Sequence, residues 1–148
     1  MTDETILRNK YMEFQMLEQA INHLQQKKVT VEKQMVEFTS LKENLESILK
    51  TKVGSSMNTP IGSGIFLKSE LKDNTSVLVN IGSNVVIEKP IKESSELVDK
   101  QLVELNKILT QLDGEIEESY QKLNTLNNEL AEFSTKQEPH VHGPNCNH

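Results

Sequence analysis

Residues 60–90 read PIGSGIFLKSELKDNTSVLVNIGSNVVIEKP, and this stretch decides how the rest of the chain is organised. It contains short runs of β-branched and aromatic residues, which favour strands. These runs are Ile65-Phe66-Leu67, Val77-Leu78-Val79-Asn80-Ile81 and Val85-Val86-Ile87. Turn-forming residues at 62–64 and 82–84 separate the runs. The stretch therefore predicts two β-hairpins within 56–90.

The predicted hairpins are too small to be stable alone. Two strands joined by a tight turn have little core and keep unpaired edges, which can pair with another chain. The first strand, near Met57 to Ile61, has the weakest pattern, because Asn58 and Pro60 are poor strand residues. Pairing with the same element of other subunits is the simplest way to stabilise such hairpins. We therefore expect this region to drive assembly.

Heptad patterns on either side of the hairpins predict two long helices, over 3–52 and 93–133. In the first helix the a positions are Leu7, Phe14, Ile21, Lys28, Met35, Lys42 and Leu49, and the d positions are Lys10, Leu17, Leu24, Val31, Phe38 and Leu45. In the second, the d positions are Val98, Leu105, Leu112, Ser119, Leu126 and Phe133, and the a positions are Leu102, Leu109, Ile116, Leu123 and Leu130. This 3.5-residue repeat is typical of a coiled coil.

The exceptions to the pattern in the first helix are lysines, whose long stems can lie along the seam with the charge in water. Gly54 is expected to end the first helix as a C-cap, and Ser94 or Ser95 to begin the second as an N-cap. Because each helix exposes one apolar stripe, the two should pack as a long antiparallel intrachain coiled coil. The fold is then mainly α with a small β element, and both chain termini meet at its far tip.

Composition excludes several classes of function. The chain has 148 residues with 4% aromatic and 26% charged residues and no Trp, which disfavours a large globular core. A net charge of −6 argues against nucleic acid, and no apolar run is long enough to span a membrane. The start of the chain lacks the apolar segment of a secretory signal, which favours the cytoplasm. Because no nucleophile, phosphate-loop or acid–base motif is present, we predict neither an enzyme nor a cofactor in 1–133.

The tail, residues 134–148, loses the heptad pattern and contains Pro and Gly, which predicts disorder. It carries the four metal-ligating side chains His140, His142, Cys146 and His148. Imidazole and thiolate groups at this spacing could hold Zn, Ni or Cu. The alternative is a solvated tail with only incidental affinity for metal.

The two ends of the helices are more apolar than a coiled-coil seam requires, which predicts a binding site for non-native proteins at the tip. The predicted substrate-binding residues are Ile6, Leu7, Tyr11, Met12, Phe14, Leu126, Leu130 and Phe133. Met and aromatic side chains adapt to many partners, which suits binding of varied unfolded chains. The alternative is that they are ordinary seam residues, which fits Ile6, Tyr11, Met12 and the nearby Met16 less well because these four lie off the seam.

Two stretches give the chain a family resemblance: Pro60-Ile61-Gly62-Ser63-Gly64 followed by an alternating strand, and Val77-Leu78-Val79-Asn80-Ile81-Gly82 followed by Val85-Val86-Ile87-Glu88-Lys89. Between two heptad helices, over about 3–133, they resemble the alpha-type subunits of archaeal prefoldin. The polar segment Ser56 to Thr59 departs from the family's usual apolar strand, and the His/Cys tail is outside its core pattern.

The resemblance implies a hexamer of two alpha-type and four beta-type subunits. The hairpins would form an intersubunit β-barrel platform, and the coiled-coil tips would hold non-native proteins without ATP and pass them to a chaperonin. Two other functions stay open. One is a structural protein that assembles into filaments through its β-edges, and the other is a metal-handling protein that uses its tail.

Overall fold

The computed structural model describes residues 2–137 and has long helices on either side of two β-hairpins. The elements are α1 (Asp3–Lys50), β1 (Ser56–Gly62), β2 (Ile65–Glu70), β3 (Ser76–Gly82), β4 (Val85–Pro90) and α2 (Ile91–Gln137). The chain is therefore mainly α with a small β element, as predicted. Its described residues divide into two compact units: unit 1 combines 2–30 with 109–137, and unit 2 is Val31–Ile108.

Burial along the helices follows the predicted heptads. All eleven seam positions predicted in α2 are buried or half-buried, including the polar Ser119. In α1 the same holds for every predicted seam position except Leu49, which is 36% exposed. Its neighbour Ile48 packs instead against the core of unit 2. The prediction for Leu49 is therefore wrong, because the last turn of α1 presents Ile48 to that core.

Each of the three lysines on the α1 seam pairs with an acidic side chain of α2. In unit 1, Lys10 Nζ lies 2.7 Å from Glu129 Oε2, and Lys28 Nζ lies 2.6 Å from Asp113 Oδ1. In unit 2, Lys42 Nζ lies 2.6 Å from Asp99 Oδ1. Lys28 follows Lys10 along α1, whereas its partner Asp113 precedes Glu129 along α2. The two helices therefore run antiparallel in unit 1. The hydrogen bond to Asp99 and the charge of that carboxylate raise the pKa of Lys42.

The strands form two separate antiparallel hairpins, β1–β2 and β3–β4. The β3–β4 turn has positive φ at both central residues, 51° at Ser83 and 61° at Asn84, as a two-residue hairpin loop requires. A bulge lies just before it, between Asn80 and Gly82, where φ of Gly82 is 115°. The side-chain oxygen of Asn80 accepts a 2.9 Å hydrogen bond from the Gly82 amide and holds this bulge. Both predicted hairpins are therefore present.

Hydrogen bonds tie the hairpins to the end of α1. The Asn74 side-chain amide donates to the Thr51 carbonyl at 3.0 Å, and so satisfies a carbonyl just beyond the helix. The Gly54 amide donates to the Leu71 carbonyl at 2.7 Å. Consequently α1 ends at Lys50, two residues before the predicted end, and Gly54 lies in a turn after the helix rather than at its C-cap.

The start of α2 also differs from the prediction. The helix begins at Ile91, directly after β4, and the Ile91 amide donates to the Thr75 carbonyl at 2.8 Å. Ile91 is fully buried in a cluster with Leu45 and Val98, and this burial draws the helix start toward the core. Ser94, which is 6% exposed, lies inside the first turns of the helix, so neither it nor Ser95 is the N-cap.

The end of α2 lies beyond the predicted residue 133. The helix continues to Gln137, and the Thr135 hydroxyl donates to the Ala131 and Glu132 carbonyls within it. Residues 134–137 contain neither Gly nor Pro, so loss of the heptad does not end the helix. The predicted disorder is wrong for these residues, and the rest of the tail lies outside the described residues.

We expect Leu105→Ala to lower the free energy of unfolding by about 2–5 kcal/mol, because it leaves a cavity in the seam. Leu105 is 8% exposed, whereas Val103, two residues away in α2, is 54% exposed. Val103→Ala is the matched control, and its effect should stay within about 0.5 kcal/mol. Urea unfolding followed by circular dichroism measures both. Equal losses would show that burial in the seam does not stabilise this part of the chain.

Candidate functional surfaces

Large apolar side chains lie exposed on the two hairpins of unit 2. We call them the hairpin surface: Met57, Ile61, Ile65, Phe66, Leu67, Leu78, Ile81, Val85 and Val86. Their exposure ranges from 41% at Met57 to 75% at Leu78. Burying one such side chain contributes about 1.5–3 kcal/mol when it is fully removed from water. A set of this size, exposed on small elements, indicates an interface.

The exposed residues lie on both faces of the first hairpin. Consecutive strand residues point to opposite faces, and Ile65, Phe66 and Leu67 are each more than half exposed. Within the described residues, neither face of this strand is covered. A strand that is apolar on both faces is typical of a strand buried on both sides. The hairpin surface is therefore suited to burial between chains.

Each hairpin also leaves strand edges unpaired. Because each sheet among the described residues has two strands, every strand has one paired and one unpaired edge. Pro60 lies in β1 opposite Phe66 and has no amide hydrogen, so β1 has one fewer donor. Unpaired edges of this kind accept a strand from another chain.

A second apolar surface lies on α1 in unit 1. It consists of Tyr11, Met12 and Met16, which are 54%, 56% and 68% exposed; we call it the α1 patch. All three lie off the heptad seam, so helix packing in unit 1 does not cover them. Met12 and Met16 are four residues apart and share one face of the helix. Flexible, polarisable Met side chains beside an aromatic ring can adapt to differently shaped apolar partners.

The structure separates the residues predicted to bind substrate. Tyr11 and Met12 are exposed, whereas Ile6, Leu7, Phe14 and Phe133 are half-buried, and Leu126 and Leu130 are only 6% and 9% exposed. The last two are seam residues in this structure, because their d and a positions face α1. These two residues could contact a bound non-native protein, or client, only if the helices of unit 1 separated. Met16, which lies off the seam four residues after Met12, is 68% exposed and belongs with the exposed residues Tyr11 and Met12.

A network of hydrogen bonds at Asp73 fixes the start of the second hairpin. Asp73 Oδ1 accepts from the Thr75 amide and hydroxyl, both at 2.8 Å, and Oδ2 accepts from the Ser76 hydroxyl at 2.5 Å. These donors, first of all Ser76, lower the pKa of Asp73 to about 2. The carboxylate therefore holds the segment that leads into β3, and through it the position of Leu78 on the hairpin surface.

Over residues 2–137, no group of three or more His, Cys, Asp and Glu side chains is arranged to hold a metal ion. The predicted ligands His140, His142, Cys146 and His148 lie outside these residues. The same described part of the chain contains no helix that is long and apolar enough to cross a membrane.

Comparison with known proteins agrees with this architecture. A family model described as "Prefoldin subunit" matches residues 17–136. Among curated proteins, prefoldin subunit alpha of Archaeoglobus fulgidus is 25% identical over 139 residues, which cover 93% of this chain and 100% of that protein. Prefoldin subunit alpha of Methanococcus vannielii is 24% identical over 125 residues, which cover 75% of this chain and 84% of that protein.

Among solved structures, the cryo-EM structure of filamentous PFD from Methanocaldococcus jannaschii matches with a TM-score of 0.67 at 18% sequence identity. The match covers 82% of this chain and 98% of that chain. At this identity the likeness establishes the fold.

We expect Asp73→Asn to destabilise the chain at pH 7 and to have progressively less effect in acid. The pKa of Asp73 falls from 3.8 to about 2 in the folded chain, so its carboxylate stabilises the fold fully above pH 3.8. That contribution declines below pH 3.8 and is lost as the pH falls through about 2, so the urea concentrations at which parent and variant unfold should converge over this range. A difference that stays constant from pH 7 to pH 2 would contradict the role assigned to this carboxylate.

Proposed function

This chain belongs to the prefoldin family, and we propose that it is the alpha-type subunit of a chaperone that holds non-native proteins without ATP. Prefoldin subunits are chaperone subunits that act in oligomeric assemblies, and they are not enzymes. The prediction of a chaperone subunit without catalytic activity is therefore confirmed at the level of the family.

The observation that carries the proposal is the α1 patch. Tyr11, Met12 and Met16 remain more than half exposed although an apolar seam lies on the same helix. Side chains placed there stabilise neither unit 1 nor its helix packing. Their chemistry fits the apolar segments that a folded protein buries and a non-native protein exposes.

The hairpin surface supports a second part of the proposal, the assembly. We assign it to contacts with beta-type subunits, in a hexamer of two alpha-type and four beta-type chains whose hairpins form an intersubunit β-barrel. The presence of two hairpins agrees with an alpha-type chain, as the resemblance to that subunit implies. In this proposal the complex works in the cytoplasm and passes its clients to a chaperonin.

Weak individual contacts explain why such a chaperone needs several subunits. Each patch side chain contributes at most about 1.5–3 kcal/mol when a client covers it, and ordering the client costs part of that. One patch therefore binds weakly and releases readily. Several patches in one complex raise the effective concentration of the second contact and give useful affinity.

We expect the combined change Tyr11→Ser, Met12→Ser and Met16→Ser to weaken client capture at least about tenfold in the complex reconstituted with a beta-type subunit. The unfolding temperature should hardly change, because these residues lie off the seam. Suppression of aggregation of a denatured model protein measures capture, and circular dichroism measures unfolding. Val29→Ser is the matched control, since Val29 is 63% exposed on α1 in unit 1 but lies outside the α1 patch.

Full protection of clients by the triple variant would refute the α1 patch as the client site. Loss of protection in the Val29→Ser control as well would show that client capture depends on exposed apolar residues of α1 in general and not on the α1 patch.

End-to-end assembly is the alternative function, and one observation favours it. The matching solved structure is that of a filamentous PFD, and it shares this fold. Light scattering with and without the beta-type subunit distinguishes the two assemblies. A discrete mass near that of a hexamer supports the holdase, and a length distribution that grows with concentration supports a filament.

We also propose that the tail binds Zn, Ni or Cu through His140, His142, Cys146 and His148. The support is the ligand chemistry of the sequence, because these residues lie outside the part of the chain that the structure describes. These four residues lie outside residues 17–136, which match the family, so their role should be separate from client capture.

Truncation after Gln137 should abolish metal binding and leave both assembly and aggregation suppression unchanged. Calorimetric titration of the full and truncated chains with zinc, nickel and copper salts measures the first effect. Equal heats for both chains would contradict the metal proposal, and loss of client capture on truncation would contradict the separation of roles.

A further inference from the structure

The methionines of the chain differ in their exposure to solvent. The sequence contains five of them, and Met1 lies outside the described residues. In the α1 patch, Met16 is 68% exposed and Met12 is 56% exposed. Met57 on the hairpin surface is 41% exposed, and Met35 is half-buried at a seam position of α1. Among residues 2–137, the two methionines of the α1 patch are therefore the most exposed.

Assembly should widen this difference. In the proposed complex, contacts with other subunits cover the hairpin surface, to which Met57 belongs. Met35 is packed into the seam within unit 2. The α1 patch, by contrast, has to stay open to solvent, because it must receive clients. Of the methionines that the structure describes, Met12 and Met16 are then the two that a dissolved oxidant reaches most easily in the working complex.

A peroxide converts a methionine thioether to a sulfoxide. The sulfur lone pair attacks one peroxide oxygen, and an S–O bond forms as the O–O bond breaks. The other oxygen takes up the proton of the transferred hydroxyl and leaves as water, so the sulfur loses two electrons and the peroxide gains two. A methionine sulfoxide reductase reverses the change. In that step two thiols become a disulfide, and the sulfoxide oxygen leaves as water.

Oxidation would turn the α1 patch from apolar to polar. A sulfoxide oxygen accepts hydrogen bonds from water, and a client that covers it must replace them or leave a buried acceptor unsatisfied. The apolar side chains of a non-native protein carry no donor for this oxygen. Because Met12 and Met16 share one face of α1, a single client segment on that face would meet both sulfoxides. Capture should therefore fall steeply.

The fold should tolerate oxidation at these two positions. Both residues lie off the heptad seam, so their sulfoxides stay in water while the helices of unit 1 remain packed. Met35 differs, since its a position faces α2 in unit 2 and a polar group there would disturb the seam. Oxidation of the α1 patch should thus remove function without unfolding the chain, whereas oxidation at the seam would remove both.

We propose that Met12 and Met16 are sites of reversible oxidation, and that a peroxide switches off client capture by converting both to the sulfoxide. This inference rests on the proposed client site and adds its regulation. The change is confined to the α1 patch, so assembly through the hairpin surface persists. Reduction of the two sulfoxides restores capture.

The test treats the complex reconstituted with a beta-type subunit with hydrogen peroxide and then with methionine sulfoxide reductase. Suppression of aggregation measures capture at each stage, and peptide mass mapping measures the oxygen added at each methionine. Capture by the parent should fall at least about tenfold on oxidation and return to within about twofold on reduction. With Met12→Leu and Met16→Leu combined, peroxide should change capture by less than about twofold, because leucine is apolar and of similar volume but forms no sulfoxide.

Further variants locate the effect. Each complex is compared with its own untreated sample, so any effect of leucine on capture before treatment cancels, and oxidation of the beta-type subunit is common to all complexes. Met57→Leu and Cys146→Ser should each be as sensitive to peroxide as the parent, although a thiol is itself oxidised. Met12→Gln combined with Met16→Gln places polar groups in the patch without peroxide. It should weaken capture at least about tenfold and leave the unfolding temperature, measured by circular dichroism, nearly unchanged.

Several results would overturn the inference. They are a parent complex that keeps its capture with both methionines of the patch oxidised, a leucine variant that loses as much capture as the parent, and a glutamine variant that captures clients as the parent does. Oxidation that reaches Met35 or Met57 before the patch would overturn it too. A complex that captures no client before treatment would refute the holdase function together with this switch, whereas capture that survives oxidation would refute the switch alone.

Discussion

Burial of the heptad side chains is the interaction on which the rest of the structure depends. A single helix as long as α1 or α2 has no reason to persist in water, since most helical stability comes from packing an amphipathic face. Within each unit the two helices cover each other's a and d positions. Among residues 2–137, the cluster that contains Ile91 and Val77 is the main apolar contact between a hairpin and the helices. The same arrangement that stabilises the helices therefore leaves the strands exposed.

The seam lysines contribute more to the alignment of the helices than to their stability. Lys10, Lys28 and Lys42 remain about one-third exposed, and ion pairs of this kind add at most about 1 kcal/mol each. An apolar residue in their place would stabilise the seam more. A shifted alignment, however, would separate these lysines from their partners Glu129, Asp113 and Asp99. The lysines thus disfavour wrong registers, as polar seam residues do in other coiled coils.

The helices could be predicted from the sequence because their apolar residues follow a 3.5-residue repeat. The hairpins could be predicted because turn residues separate their short runs of strand-forming residues. The burial of Ser119 and of the lysines followed from position alone, although neither type is apolar. The errors arose where tertiary contacts override local signals. Ser94 resembles an N-cap, yet burial of Ile91 starts the helix one turn earlier. In the candidate site, Leu130 and Met12 look equally apolar in sequence, and only packing between the helices makes one buried and the other exposed.

The two exposed apolar surfaces differ in side-chain stiffness, and this difference agrees with the separate roles that we propose for them. The hairpin surface is rich in β-branched residues such as Ile65 and Val86, which have few rotamers and lose little entropy when buried in one fixed geometry. The α1 patch uses Met12 and Met16, whose flexible chains fit many shapes but lose more entropy in any one of them. Stiff side chains on preformed strands favour a permanent contact with a single partner. Flexible side chains on a helix surface favour contacts that form with many partners and are released.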